Sequence, residues 1–431
     1  MVLPWKILQI DLSQGISAIS TVSEAEKIYL VFWWKTIPLG HQAILAEQLP
    51  LSAIAIVNLA IQAITPTIGY YLFPNGFRES LVSFNDSYLL SCKTESVDWT
   101  TLVKLEKSLA ELEQKIAEID TKPFNKNISL IICTRNRPES LTRCLESLQK
   151  LSHFPKEIII VDNASISSDK VKQMTELWGM RYIHEPRKGL SIARNTGIRQ
   201  ATGEIIAFTD DDVVVHPDWI FRLGQTFSDP NLMAVTGQVL PAELETESQQ
   251  IFEVELGSFG WGYRPKTFDH GFFDYNLPWG VPVWRIGAGA NMAFRRQILD
   301  KVGNFDERLG AGASGCSEDS EMWYRILAEG GICLYEPTAV VFHYHRREMT
   351  DLNQQMYAYM KGHVTALLIQ YEHYHHKGNL YRVFVDLPKH YLGVLMAGFF
   401  YGFGLKQKTL LSEVLGCIAG LFYYLRHRYQ K

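Results

Sequence analysis

The chain has 431 residues, 47% of them hydrophobic and 20% charged, and its 42 basic and 46 acidic side chains leave a net charge of −4. That is a globular composition with length for two or three domains, and it excludes a nucleic-acid binder held by bulk electrostatics. Six cysteines (Cys92, Cys133, Cys144, Cys316, Cys333 and Cys417) are scattered without a CxxC pair, so they read as reduced thiols of a cytosol-facing protein.

From the start, Met1 to Ile7 lacks the basic n-region and apolar core of a secretory signal. Lys27 to Lys35 is rich in aromatic and β-branched residues, and Ile37 to Gly40 reads as a turn before His41 to Leu45, which predicts a hairpin. Leu51 to Ile64 has helical apolar spacing and is expected to close at Pro66. Leu102 to Ile119 carries a leucine/isoleucine stripe flanked by Glu106, Lys107, Glu111, Glu113 and Lys115. It reads as an amphipathic helix leading to a linker at Thr121-Lys122-Pro123. This accessory domain, 1–122, is a small α+β unit with no catalytic constellation.

The second region, 127–350, alternates strands and helices. Strands are expected at Ile128 to Cys133, Glu157 to Val161, Arg181 to His184 and Ile205 to Phe208. Helices are expected at Pro138 to Leu151, Val171 to Trp178 and Ser191 to Thr202. Such alternation predicts an α/β fold, a Rossmann-like and mostly parallel sheet flanked by helices, with ligands at the carboxyl ends of its strands. Polar residues gather at those ends: Thr134, Arg135, Asn136 and Arg137 after the first strand, Asp162 and Asn163 after the second, and Asp210, Asp211 and Asp212 after the fourth. Three adjacent carboxylates cannot be buried unpaired, and their hard oxygens suit Mg²⁺ or Mn²⁺ carrying a phosphate-bearing substrate. The other reading is a solvated acidic turn.

The third region, 351–431, is helical and apolar. Met356 to Tyr371 reads as a helix, and Tyr391 to Leu405 and Leu410 to Leu425 are apolar runs. Fifteen helical residues span roughly 22 Å, short of a ~30 Å hydrocarbon core. Lys406, Lys408, Arg426, His427 and Arg428 flank the runs. The segment is therefore expected to lie peripherally on an anionic membrane, with a buried helical hairpin as the other reading.

Several pieces in order resemble the family 2 glycosyltransferases of the GT-A fold. These are Ile128 to Arg137, Ile160 to Ser165 around Asp162, Gly189 to Gly197, Phe208 to Asp212, Gly303 to Glu307, and Ser317 to Glu321. The resemblance covers about 127–345 and implies a metal-dependent, inverting hexosyltransferase. Its donor would be a nucleoside-diphosphate sugar, UDP favoured; the apolar C-terminus alone points to an acceptor that is a glycan or lipid-linked sugar, in polysaccharide biosynthesis at the inner face of the cell membrane. It implies that Asp162 accepts a hydrogen bond from the base, that Thr134 to Arg137 wrap the nucleoside, and that Lys188 and Arg194 offset the diphosphate charge. Asp210 and Asp212 take the place of the family's DxD motif, both as candidate metal ligands, with Asp210 also toward the ribose or sugar. Asp211 is expected to turn away, because alternate residues of a strand share a face. His343 stands where relatives place a histidine ligand, with His345 as its competitor. Asp319, in the acidic pair with Glu318, is implied as the base that deprotonates the acceptor. Small residues around Asn291, in Gly287 to Met292, and in Gly310 to Gly315 would let backbone approach a sugar. Arg187-Lys188-Gly189 departs from the family, where an asparagine is common. A non-catalytic nucleotide-sugar or glycan-binding subunit of a polysaccharide synthesis complex is the alternative function.

Overall fold

The computed structural model describes residues 3–20, 27–72, 99–121, 123–125, 127–166, 168–257, 259, 261–402 and 404–429. Met1 and Val2 of the leader reading, Cys92 and the linker residue Lys122 lie outside them. The chain divides into two compact units, Leu3–Pro123 with Gly262–Arg264, and Phe124–Trp261 with Pro265–Lys431. Residues from 351 onward, set apart as a third region by their composition, pack within the second unit.

In the first unit, β1 (Trp5–Asp11) runs parallel to β2 (Lys27–Trp34), which pairs antiparallel with β3 (Ile37–Ile44). The expected hairpin is present, but its turn is tighter, so that Pro38 to Gly40 belong to β3. Helices α1 (Ala53–Leu72) and α2 (Trp99–Asp120) follow. Ile28, Leu30 and Phe32 of β2 are buried with Ile56, Ala60 and Ile64 of α1 and with Leu109 and Leu112 of α2. Gly40 allows this, since a Cβ there would stand 2.5 Å from the Ala63 carbonyl oxygen. Helix α1 runs through Pro66 rather than ending at it. Proline costs a helix interior about 3 kcal/mol, and here the burial of Thr67 and Ile68 beyond the expected stop works against that cost.

The second unit opens with β4 (Ile128–Thr134), α3 (Pro138–Leu148), β5 (Glu157–Asn163), α4 (Ser168–Leu177), β6 (Arg181–Glu185), α5 (Leu190–Gln200) and β7 (Ile205–Asp210). It continues with β8 (Val213–Val215), α6 (Trp219–Thr226), β9 (Leu232–Pro241), and α7 (Glu247–Gln250), which winds into a π-helical turn at Ile251–Glu255. Then come β10 (Lys266–Phe268), α8 (His270–Asn276), β11 (Asn291–Arg295), α9 (Arg296–Val302), α10 (Glu318–Ala328) and β12 (Ile332–His343). The chain ends with α11 (Met349–Tyr374), α12 (Lys377–Tyr381), α13 (Leu387–Tyr401) and α14 (Leu410–His427).

The sheet order is β10-β12-β9-β11-β7-β4-β5-β6, with β8 added to β12. The expected parallel register holds from β6 to β7. There β11 enters antiparallel to both β7 and β9, so the sheet is mixed. Period-two alternation explains the layers. Leu130 and Ile132 face α3 and α6 through Leu141, Leu145, Trp219 and Leu223. Ile131, Ile206 and Phe208 face the opposite way, toward Ala193 of α5 and Met322 and Trp323 of α10.

Candidate functional site

Register brings the polar strand ends together. Thr134 of β4 lies beside Asp162 of β5, and Cys133 lies beside Asp210 of β7. The backbone is bent immediately past two of these ends, where Asn136 (φ 55°) and Ala164 (φ 51°) adopt left-handed conformations. Non-glycine residues rarely do so, and such positions concentrate at functional sites.

Asp162 is wholly buried and accepts hydrogen bonds from Ser165 and from the Tyr182 hydroxyl at 3.0 Å. The Asn136 N–H donates to Ser165 Oγ at 3.1 Å, and Asn136 Oδ1 accepts from Ile166 N at 2.8 Å. The loops after β4 and β5 are thereby laced to each other, with Arg135 on the exposed side donating to Ala164 O at 3.4 Å. Asn163 braces the next loop, donating to Arg187 O at 2.6 Å and accepting from Gly189 N at 2.9 Å. Lys188 on that loop is exposed.

The three carboxylates of the acidic turn divide between two clusters. In one, Arg194 of α5 is 2% exposed and donates to Glu318 Oε1 at 2.6 Å and to Asp210 Oδ1 at 3.3 Å. Burial opposes its charge, but Glu318 and Asp210 hold it protonated above the usual arginine value. Asp319 Oδ2 accepts from Gly289 N at 2.8 Å and Oδ1 from Ser320 N at 2.6 Å. A Cβ on Gly289 would come within 3.0 Å of Arg194 and 3.1 Å of Asp319, so this small residue admits the Arg194–Asp319 approach. Burial pushes Glu318 up to about 7 against the pull of Arg194, and it raises Asp319 as well. Glu318 is buried against Arg194, whereas Asp319 is only half-buried. Ser317, at φ 71°, sets the left-handed entry to α10 that presents both.

In the other cluster, Arg137 Nη1 donates to Asp211 Oδ1 at 3.2 Å and to Asp212 Oδ2 at 3.1 Å. Asp211 also accepts from Thr134 Oγ1 at 2.7 Å. It does turn from Asp210, yet it stays in the site as the buried brace of Thr134 and Arg137. Burial and then the Asp212 charge raise its pKa. Asp212 Oδ1 lies 3.4 Å from His343 Nε2, and Arg346 stands 3.6 Å from Oδ2. Burial opposes the charge of Asp212, but the Arg137 and Arg346 guanidiniums hold its carboxyl well below the usual range. The closeness of Asp212 and His343 comes from backbone pairing. His343 of β12 lies opposite Val213 of β8, and Tyr344 N donates to Asp212 O at 3.0 Å.

Asp212 and His343 form a carboxylate-imidazole pair, whose hard carboxylate oxygen suits Mn²⁺ or Mg²⁺ while the imidazole favours a transition ion such as Mn²⁺ over Mg²⁺. Among the described residues no group of three or more His, Cys, Asp or Glu side chains is placed to hold an ion unaided. The donor set therefore fits a cation that completes its shell with phosphate oxygens and water, as magnesium-type ions do. Asp210 faces Arg194 instead.

Asn291 is a correction. It lies in β11 at 0% exposure, accepting from Trp219 Nε1 at 2.8 Å and donating to Ala339 O at 2.8 Å and Gln238 O at 3.0 Å. Its amide is spent pinning three strands and α6, so it does not face a ligand. The Gly310 to Gly315 loop is tied down, with Leu190 N donating to Ala311 O at 2.9 Å and Lys361 Nζ to Ala313 O at 3.1 Å. Arg346, Tyr182 and Glu253 were missed from sequence. Arg346 alone carried a signal, being a cation three residues past a candidate ligand.

The family model for Glycosyl transferase family 2 matches residues 129–303. A pre-mycofactocin glycosyltransferase of Mycobacterium tuberculosis is 28% identical over 234 residues, 53% of this chain and 45% of the relative. The succinoglycan biosynthesis protein ExoM of Rhizobium meliloti is 29% identical over 228 residues, 50% of this chain and 66% of the relative. The chain thus spans about half to two thirds of these relatives' length. A solved mannosyltransferase of Pyrobaculum calidifontis, in complex with GDP-Man and Mn²⁺, aligns over 76% of this chain and 97% of its own at 17% identity and a TM-score of 0.45.

Proposed function

Because the central domain belongs to glycosyl transferase family 2, we propose that the chain transfers a sugar, with inversion and with a divalent metal, from a nucleoside-diphosphate sugar to a hydroxyl of a glycan or lipid-linked acceptor. The observation that carries this reading is the division of the acidic turn. Asp210 meets the Arg194–Glu318–Asp319 cluster, while Asp212 meets His343, Arg137 and Arg346.

In this reading Asp162 and the laced loops after β4 and β5 hold the nucleoside. Arg137, Arg346 and Lys188 lie on the side of the diphosphate. Asp212 and His343 would hold a divalent cation, which when bound would supply charge neutralisation for the departing diphosphate. Asp319 takes the proton from the acceptor hydroxyl as its oxygen bonds to the anomeric carbon, and the bond to the diphosphate breaks with its electron pair leaving on phosphate. Attack opposite the leaving group inverts the anomeric centre. Glu318 stays paired to Arg194 and sets the field around Asp319.

The test is donor hydrolysis and transfer across a panel of nucleotide sugars, UDP-linked first, with Mn²⁺, Mg²⁺ or EDTA. Turnover with one donor, abolished by EDTA, is the expected result. Failure to bind any donor in calorimetry would sink the reading.

We also place the protein on a membrane surface. Leu411, Leu415, Ile418, Phe422 and Leu425 recur at spacings of four and three along α14, and all are exposed. Leu392, Leu395, Met396, Phe399 and Phe400 on α13 are exposed too. The other side of α14 is fastened to α11, since a Cβ on Gly416 or Gly420 would stand 2.4 Å from Tyr357 O or 2.5 Å from Lys361 O. The helical stretches Lys377–Phe400 and Gln407–His427 are longer than the apolar runs alone and are long and apolar enough to cross a membrane, so length does not exclude a span. We favour the interface for α14 because α11 beside it carries Asp351, Lys361 and Glu372. Replacing Leu415 and Phe422 together by serine removes roughly 1.5–3 kcal/mol of apolar burial per side chain. Binding to phosphatidylglycerol vesicles in flotation is expected to fall at least tenfold, on the order of the loss of one such side chain, with donor hydrolysis in detergent retained. Undiminished flotation would refute this placement.

A further inference from the structure

Behind His343 the structure carries a chain of side chains that the transfer reading leaves unused. His343 Nδ1 lies 3.0 Å from His345 Nδ1, and His345 Nε2 lies 3.1 Å from Glu253 Oε2. Both imidazoles are buried, at 7% and 5% exposure. Phe252 packs on the His345 ring at 4.8 Å between centroids, and Phe259 meets the His343 ring edge-on at 5.6 Å. Glu253 sits in the π-helical turn Ile251–Glu255, where one turn of widened helix re-aims its side chain, a form that recurs at functional sites. The segment after β12 is pinned to this turn's approach by Gln249 Nε2 donating to His345 O at 3.3 Å and Ser248 Oγ donating to Arg346 O at 2.8 Å.

Hydrogen-bond counting gives the chain a direction. A neutral imidazole has one N–H and one lone pair. Glu253 as acceptor takes the N–H of His345 at Nε2, which leaves the His345 Nδ1 lone pair facing His343. Two ring nitrogens 3.0 Å apart need one proton between them, so His343 supplies it from Nδ1. The lone pair of His343 is then fixed on Nε2, which faces Asp212 Oδ1. The 3.4 Å between them exceeds an ordinary N–H···O hydrogen bond of about 2.7–3.2 Å. Meanwhile Oδ2 of Asp212 is taken up by Arg137 and Arg346. Oδ1 and Nε2 therefore converge as two bare donors.

We propose that Glu253 and His345 are positioning residues that lock His343 in its Nδ1–H tautomer and so present Nε2 as a ligand, with Asp212, to the divalent cation of the transfer site. This rests on the metal-dependent reading above. Partners of this kind fix ring orientation and raise ligand basicity, and their loss typically costs 10–100-fold in metal affinity.

The test uses the full chain with Mn²⁺ alone and with Mn²⁺ plus UDP, following the free ion by electron paramagnetic resonance. Glu253→Leu and His345→Phe are expected to weaken Mn²⁺ binding about 10–100-fold. Glu253→Gln, whose amide oxygen can still accept from His345, is expected to restore most of it. His343→Ala and Asp212→Asn serve as references. If those two leave Mn²⁺ affinity unchanged, the metal reading itself fails. If they weaken it while Glu253→Leu does not, only the positioning proposal is overturned. Should the leucine variant misfold, long-range ¹H–¹⁵N spectra of histidine-labelled wild type decide. His343, assigned by His343→Gln, is expected as the Nδ1–H tautomer, and an Nε2–H tautomer overturns the proposal.

Discussion

Asp212→Asn is expected to lower kcat/KM for sugar transfer by about three orders of magnitude, which corresponds to ~4 kcal/mol at the transition state. The substitution keeps the side chain's volume in a buried position, so the fold should survive while the anionic oxygen facing His343 is lost. The same carboxylate is the shared partner of Arg137 and Arg346, and an amide would remove its charge from both, leaving Arg137 to Asp211 alone. Weaker ground-state donor binding in Mn²⁺ should accompany the rate loss. Excess Mn²⁺ should recover only part of the activity, because the lost oxygen is a ligand and a charge partner at once. Steady-state kinetics across a Mn²⁺ titration checks this. A variant within fivefold of wild type would remove Asp212 from the metal site.

The second large effect belongs to Asp319. Asp319→Asn is expected to reduce kcat by about 10²–10⁴-fold, the usual range for a positioned general base, with donor binding little changed. Its pH dependence has a defined sign. Burial raises the Asp319 pKa against the pull of Arg194 and of the Ser320 and Gly289 N–H groups. A base must be deprotonated, so kcat/KM should fall as pH drops through that raised pKa, at higher pH than an ordinary aspartate would impose. In Asp319→Asn this acid limb should vanish from the residual rate. Glu318→Gln should behave differently, since Glu318 is the buried partner of Arg194. A pH–rate profile of both variants separates the roles, and an unchanged acid limb in Asp319→Asn would assign the base elsewhere.

The framework of the candidate site was legible in the sequence. Strand-helix alternation with polar strand ends is a periodic signal, and the registers Thr134 with Asp162 and Cys133 with Asp210 are what such ends produce in a parallel sheet. What stayed hidden depended on contacts between distant segments. Asn291 beside small residues looks like a ligand contact, and only the positions of Trp219, Gln238 and Ala339 show its amide to be consumed in the core. Pro66 reads as a helix stop from local chemistry, yet the packing of Thr67 and Ile68 carries the helix past it. Glu253 lies in a segment with no motif, and its aim depends on a π-helical turn that no spacing rule announces. In α14 the apolar run was visible, and Gly416 and Gly420 share one helical face, but the partner of that face was not.

The short ladder between β8 and β12 joins residues near the middle of the domain to residues at its end. Closing so long a loop comes late, because its entropy must be offset by contacts already made. Asp212 and His343 therefore meet only once β8 has paired with β12. A nascent or half-folded chain has the acidic turn without its imidazole, and cannot assemble the pair that would grip a sugar nucleotide. On the proposed function, the metal-binding pair is thus tied to the pairing of β8 with β12, and a chain lacking that pairing would lack the pair.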